Sequence, residues 1–101
     1  MAQQLVTHVG AIASGAVAAF DVAGRRIAVA NVDGTFFAFD DACTHRHCSL
    51  AKGRLSGTTV TCLCHGSEFD VRTGTVLKPP AAQAVGSYPV IVEDGAVNIE
   101  I

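Results

Sequence analysis

The chain has 101 residues, half of them hydrophobic and 16% charged. That balance excludes a disordered chain and points to a single domain over residues 1–101. Seven Lys+Arg against nine Asp+Glu leave a net charge of −2, too small and of the wrong sign for a general nucleic-acid binder. No Lys or Arg precedes Arg25, and the mildly apolar run 11–20 is interrupted by Ser14 and Gly15. It reads neither as a secretory signal nor as a membrane span, so the expectation is a soluble, cytoplasmic protein.

In chain order, short runs of alternating or β-branched residues predict strands over Gln4–Val9, Val17–Val22, Arg26–Asn31 and Thr35–Asp40. Asp33-Gly34 is a tight-hairpin signal between the last two. Further strands are expected over Thr58–Thr61, Glu68–Val71, Thr75–Leu77, Pro89–Val92 and Ala96–Ile101, the final pair joined by Asp94-Gly95. No helical period persists over ten residues. The predicted fold is all-β, a small sandwich or barrel of antiparallel strands. Phe36, Phe37 and Phe39 read as core. The β pattern fails twice, between Asp40 and Thr58 and again over Cys62–Ser67.

Those two failures hold all four cysteines and three of the four histidines. The first loop reads Cys43-Thr44-His45-Arg46-His47-Cys48, the second Cys62-Leu63-Cys64-His65-Gly66-Ser67. Each pairs a cysteine with a histidine at close spacing, Cys43 with His45 and Cys62 with His65. Facing loops of this kind would offer two thiolates and two imidazoles. A zinc site uses the same donors, but usually with the cysteines on one hairpin and the histidines on a following helix. Mixed pairs also suit two irons bridged by sulfide, one holding the sulfurs and the other the nitrogens. Zinc remains the alternative on residue types alone.

Cys-x-His, sixteen intervening residues, then Cys-x-x-His resembles the motif of the Rieske [2Fe-2S] family. Cys62-x-Cys64-His65-Gly66-Ser67 sharpens the likeness. The flanking Asp33-Gly34-Thr35-Phe36-Phe37-Ala38, Phe69-Asp70, Thr73-Gly74 and Pro79-Pro80 are similar to Rieske ferredoxins. The resemblance implies a small antiparallel β domain whose two loops clamp the cluster, with Cys43 and Cys62 on one iron and His45 and His65 on the other. It also sets Cys48 and Cys64 where cytochrome bc-type members carry a disulfide that many oxygenase ferredoxins lack. Two buried free thiols are the alternative. Ser67 matches a serine that hydrogen-bonds the cluster in high-potential relatives, and otherwise reads as a turn residue. Phe69 stands where those relatives have tyrosine, and Pro79 and Pro80 fall in the segment beside the cluster. His8 and His47 match no ligand position.

The implied function is one-electron transfer without substrate chemistry. As a Rieske ferredoxin, the chain would be a monomeric carrier meeting a flavoprotein reductase and a terminal oxygenase in turn, touching neither membrane nor nucleic acid. The alternatives are a permanently bound small subunit of a larger oxidoreductase, such as a nitrite reductase, and a zinc-stabilised binding module. Charge is uneven along the chain. From Cys43 to Pro80, Arg46, Lys52, Arg54, Arg72 and Lys78 outnumber Glu68 and Asp70, a net of +3, leaving −5 elsewhere. Such asymmetry is a candidate steering device for an acidic partner.

Overall fold

A computed structural model describes residues 3–45 and 47–101. Its strands are β1 (Gln3–His8), β2 (Val17–Val22), β3 (Arg25–Val32), β4 (Thr35–Asp40), β5 (Arg54–Ser56), β6 (Thr59–Thr61), β7 (Glu68–Asp70), β8 (Val76–Lys78), β9 (Ser87–Tyr88), β10 (Val90–Glu93) and β11 (Ala96–Glu100). They form three antiparallel sheets in the orders β1-β11-β10, β2-β3-β4-β9 and β5-β6-β7-β8. The expected all-β antiparallel class is the one observed.

The middle sheet is covered on both faces. Neighbouring residues of a strand point to opposite sides, and in β3 both sets are small or apolar. Ile27 and Val29 join Phe36, Val97 and Ile99 in one core, while Ala28 and Ala30 join Phe39, Leu50, Val60 and Phe69 in the other. That is why Ile27–Ala30 reads as an unbroken apolar run and not as an alternation. Each large side chain buried to this degree contributes on the order of 1.5–3 kcal/mol. The second core also contains Cys43 and Cys62, so the loops grow out of its packing.

Asp33-Gly34 and Asp94-Gly95 both take the left-handed conformation a tight hairpin needs. A third such turn, Ala23-Gly24, joins β2 to β3 and gives no sequence signal, because alanine is a poor left-handed residue. Strands β5 and β9 were also not foreseen. They have three and two residues, too few for a period to register. Two short 3₁₀ turns, Val9–Ala11 and Leu50–Lys52, complete the described elements.

Candidate metal centre

Both loops are built on one backbone frame. An Ala42–Ser49 bridge closes the base of the first, and the Thr61–Glu68 pair of β6 and β7 closes the second. Just inside, the Cys43 N–H donates to the Cys48 carbonyl (2.9 Å) and the Cys62 N–H to the Ser67 carbonyl (2.8 Å). One step further, the His47 N–H donates to the Cys43 carbonyl (2.7 Å) and the Gly66 N–H to the Cys62 carbonyl (3.0 Å). The fifth residue of each loop is left-handed, with φ of 57° at His47 and 80° at Gly66. His47 thus fills the place that glycine fills in the twin loop.

The first cysteine of each loop is buried and free, Cys43 at 1% and Cys62 at 2% exposure. Burial pushes the Cys62 thiol up. The Cys64 N–H, hydrogen-bonded to it, pulls it back down, and the adjacent Cys43 thiol raises it again. The His65 N–H also points at this sulfur. Amides aimed at sulfur are what a thiolate ligand requires when it is out of water. The His45 and His65 rings meet edge to face, with centroids 5.1 Å apart. His65 is exposed and His45 half-buried, so the thiols lie inward and the imidazoles outward.

A disulfide joins Cys48, last in the first loop, to Cys64, third in the second, across a Cα–Cα distance of 6.5 Å. The Cys62 sulfur lies within 4.8 Å of both of its sulfurs. Two of those three sulfurs are spent in a covalent bond, so that triplet is not itself a metal site. The remaining donors, two free thiols and two imidazoles at one tip, match a [2Fe-2S] group held by sulfur on one side and nitrogen on the other. No helix carries the imidazoles, in contrast to a zinc finger.

A third segment closes over the tip. The Ala81 N–H donates to Ser67 Oγ (3.0 Å), and Thr44 Oγ1 donates to the Gln83 carbonyl (2.7 Å), so each loop sends one hydroxyl to this strap. Pro79 and Pro80 are exposed, joined by a cis peptide; Ala81 makes the buried contact. Ser67 is 1% exposed and Phe69 fully buried beside both free cysteines in the core. Farther along, the Gly86 N–H donates to Asp40 Oδ2 (3.1 Å) and Tyr88 Oη to Asp40 Oδ1 (2.5 Å), while Arg25 donates to Tyr88 Oη (3.1 Å). A Cβ on Gly86 would lie 2.6 Å from that carboxylate. Burial, then the Asp40 carboxylate, pushes the Tyr88 hydroxyl up to about 12. Thr44, Asp40 and Tyr88 were not singled out in the sequence, since each acts through a partner about forty or more residues away. His8 lies at the end of β1, in the outer sheet. Arg46 lies outside the described residues.

The sequence matches the Rieske [2Fe-2S] domain family over residues 2–89. It is 42% identical over 76 residues to the 3-phenylpropionate/cinnamic acid dioxygenase ferredoxin subunit of Photorhabdus laumondii, covering 74% of this chain and 72% of that one. Against the ferredoxin component of the Pseudomonas putida naphthalene 1,2-dioxygenase system it is 36% identical over 90 residues, 89% and 86% of the two chains. In structure it is similar to the Sphingomonas yanoikuyae B1 ferredoxin, with a TM-score of 0.91 at 34% identity and 99% of both chains covered. The ferredoxin of carbazole 1,9a-dioxygenase from Nocardioides aromaticivorans IC177 gives a TM-score of 0.94 at 26% identity, covering 98% and 97%.

Proposed function

The chain belongs to the Rieske [2Fe-2S] domain family and carries that cluster, and from this we propose that residues 1–101 are a single Rieske domain acting as the ferredoxin of a dioxygenase system. It is an electron-transfer component, not a catalyst. In this reading it accepts electrons from a flavoprotein reductase and delivers them to a terminal oxygenase, as a cytoplasmic monomer that binds each in passing. Solved complexes of related ferredoxins with the oxygenase of carbazole 1,9a-dioxygenase support the second half of that cycle. No helix among the described residues is long and apolar enough to cross a membrane.

The bound cluster supplies one-electron chemistry, at a potential of roughly −150 to +300 mV that two neutral imidazoles in place of thiolates bring about. Cys43 and Cys62 would hold one iron, and His45 and His65 the other. The Cys64 and His65 amides hold charge on the Cys62 sulfur. Ser67 uses an acceptor site on Ala81, which leaves its own proton to donate to a thiolate or cluster sulfur. With every iron position taken, chemistry on an organic substrate falls to the partner. The observation that carries this reading is the pair of free buried thiols set beside two outward-facing imidazoles.

The test is reconstitution. Holoprotein mixed with a flavoprotein reductase, NADH and the oxygenase of such a system is expected to support product formation in proportion to carrier, and to run alone on gel filtration. Copurification in fixed ratio with a larger oxidoreductase would contradict the shuttle. Bound zinc without iron would contradict both readings.

A further inference from the structure

Three sulfurs at the tip form a group that iron ligation does not account for. The Cys62 sulfur, a free thiol, lies within 4.8 Å of both sulfurs of the Cys48–Cys64 disulfide. Cys43, the other free thiol, is not one of the three. The disulfide is also open to solvent, because Cys64 is exposed and Cys48 half-buried. Two backbone bonds hold Cys62 and the turn it begins, from the Cys62 N–H to the Ser67 carbonyl and from the Gly66 N–H to the Cys62 carbonyl. A thiol kept beside a disulfide is the arrangement from which exchange starts. Which sulfur is attacked depends on access and on how well the departing sulfur carries charge.

Exchange can open the bond at either end. Attack at Cys48 releases Cys64, the exposed partner, so the leaving thiolate departs into water. It also keeps the two loops joined, since Cys48 belongs to the first and Cys62 to the second. The closed loop is then only slightly shorter, and its restriction of the unfolded chain is nearly the same. Attack at Cys64 instead releases the less exposed Cys48. It bridges two residues of one turn, parting the loops and giving up the restriction that the longer closure imposes. Access and chain entropy both favour attack at Cys48.

We propose that these three sulfurs are a thiol–disulfide exchange site, at which Cys62 bonds to Cys48 whenever iron does not hold it, and whose external substrate class is a dithiol. The step is redox-neutral. The Cys62 S–H and Cys48–Cys64 bonds break, the Cys48–Cys62 and Cys64 S–H bonds form, and one proton passes on balance from Cys62 to Cys64. The product lacks one thiolate of the centre and presents a free thiol at Cys64 instead. A dithiol reverses it with two electrons and two protons, freeing Cys48 and Cys62 and leaving as its own cyclic disulfide. Ligation of Cys62 removes the nucleophile, so the disulfide is a staple in the loaded protein and a trap in the iron-free one. The inference rests on the reading of Cys62 as an iron ligand and adds a covalent fate for it outside the loaded state.

The test starts from holoprotein of the full chain, whose visible spectrum is recorded first. Iron is withdrawn with a chelator in the absence of air, sulfide is removed by desalting, and samples are quenched in acid over several hours. Free thiols are blocked with N-ethylmaleimide in denaturant, and tandem mass spectrometry locates each label. At the start the labels are expected on Cys43 and Cys62. With time the Cys62 label should pass to Cys64 in at least about one chain in ten, because bridges closing loops of similar length differ little in chain entropy. Dithiothreitol added before the quench should restore the Cys62 label. In a Cys48→Ser protein, labels on Cys43, Cys62 and Cys64 should not change with time. Labels confined to Cys43 and Cys62 throughout, or label appearing on Cys48 in place of Cys64, would overturn the exchange site. Holoprotein without a Rieske spectrum would instead overturn the carrier reading, and the labels would still decide the exchange.

Discussion

Ser67 shows how much one hydroxyl can be worth at a redox centre. Its acceptor side is committed to the Ala81 amide and its surroundings are dry, so in the proposed reading the O–H proton would go to a sulfur of the centre. Such a bond favours the reduced, more negative state. A differential of about 1 kcal/mol corresponds to about 40 mV for one electron. Ser67→Ala is therefore expected to lower the potential by roughly that amount in film voltammetry at fixed pH. A change of a few millivolts would reduce Ser67 to a tie for the strap. The single tyrosine offers a cleaner residue-scale check. Its folded-state value is raised to about 12, against about 10 unfolded. The stability this represents is whole below pH 10 and is lost as pH rises through 12. With no tryptophan to interfere, ultraviolet titration should show one phenol ionising near pH 12, and Asp40→Asn should bring it down. At this scale the cysteine and histidine positions were legible, because their spacing is local. Asp40, Thr44 and Tyr88 were not, because each is defined by a contact distant in sequence.

At the scale of elements, the two loops are one structural device used twice. Their shared frame explains His47, which the sequence left without a role. It holds a left-handed position that histidine tolerates better than most residues but less well than glycine. His47→Gly should leave the spectrum and potential in place and raise stability by about 0.5 kcal/mol, the relieved strain offset in part by glycine's chain entropy. Thermal unfolding followed at the cluster's visible band checks this; loss of the cluster would mean the imidazole matters. The disulfide ties the last position of one loop to the third of the other, sixteen residues apart. Closing a loop of this length is worth about 3 kcal/mol. Cys48→Ser and Cys64→Ser proteins should still assemble a cluster but unfold that much more easily, whereas Cys43→Ala and Cys62→Ala should assemble none. Equal cluster content in all four would undo the division of labour. The sequence pattern carried the long hairpins and the places where strands stop. It could not carry β5, β9 or the Ala23 turn, whose conformation is imposed by neighbours.

Across the whole molecule, a middle sheet packed on both faces fixes the second core, and that core buries the two free cysteines. Rigid packing beneath the thiols and open solvent above the imidazoles give the centre an inner and an outer side. The fold class was readable because it follows from strand periodicity and turn residues. The three-layer arrangement was not, because Ile27–Ala30 does not reveal in sequence which neighbour covers each face. The proposed carrier role depends on sulfur holding one iron and nitrogen the other. Electron paramagnetic resonance of dithionite-reduced holoprotein, with histidine labelled with nitrogen-15, tests that directly. The expected result is a single-spin [2Fe-2S] signal coupled to two imidazole nitrogens, and to only one in a cluster-replete His65→Cys protein whose potential has fallen. A signal without nitrogen coupling, or a His65→Cys protein with unchanged coupling and potential, would contradict it.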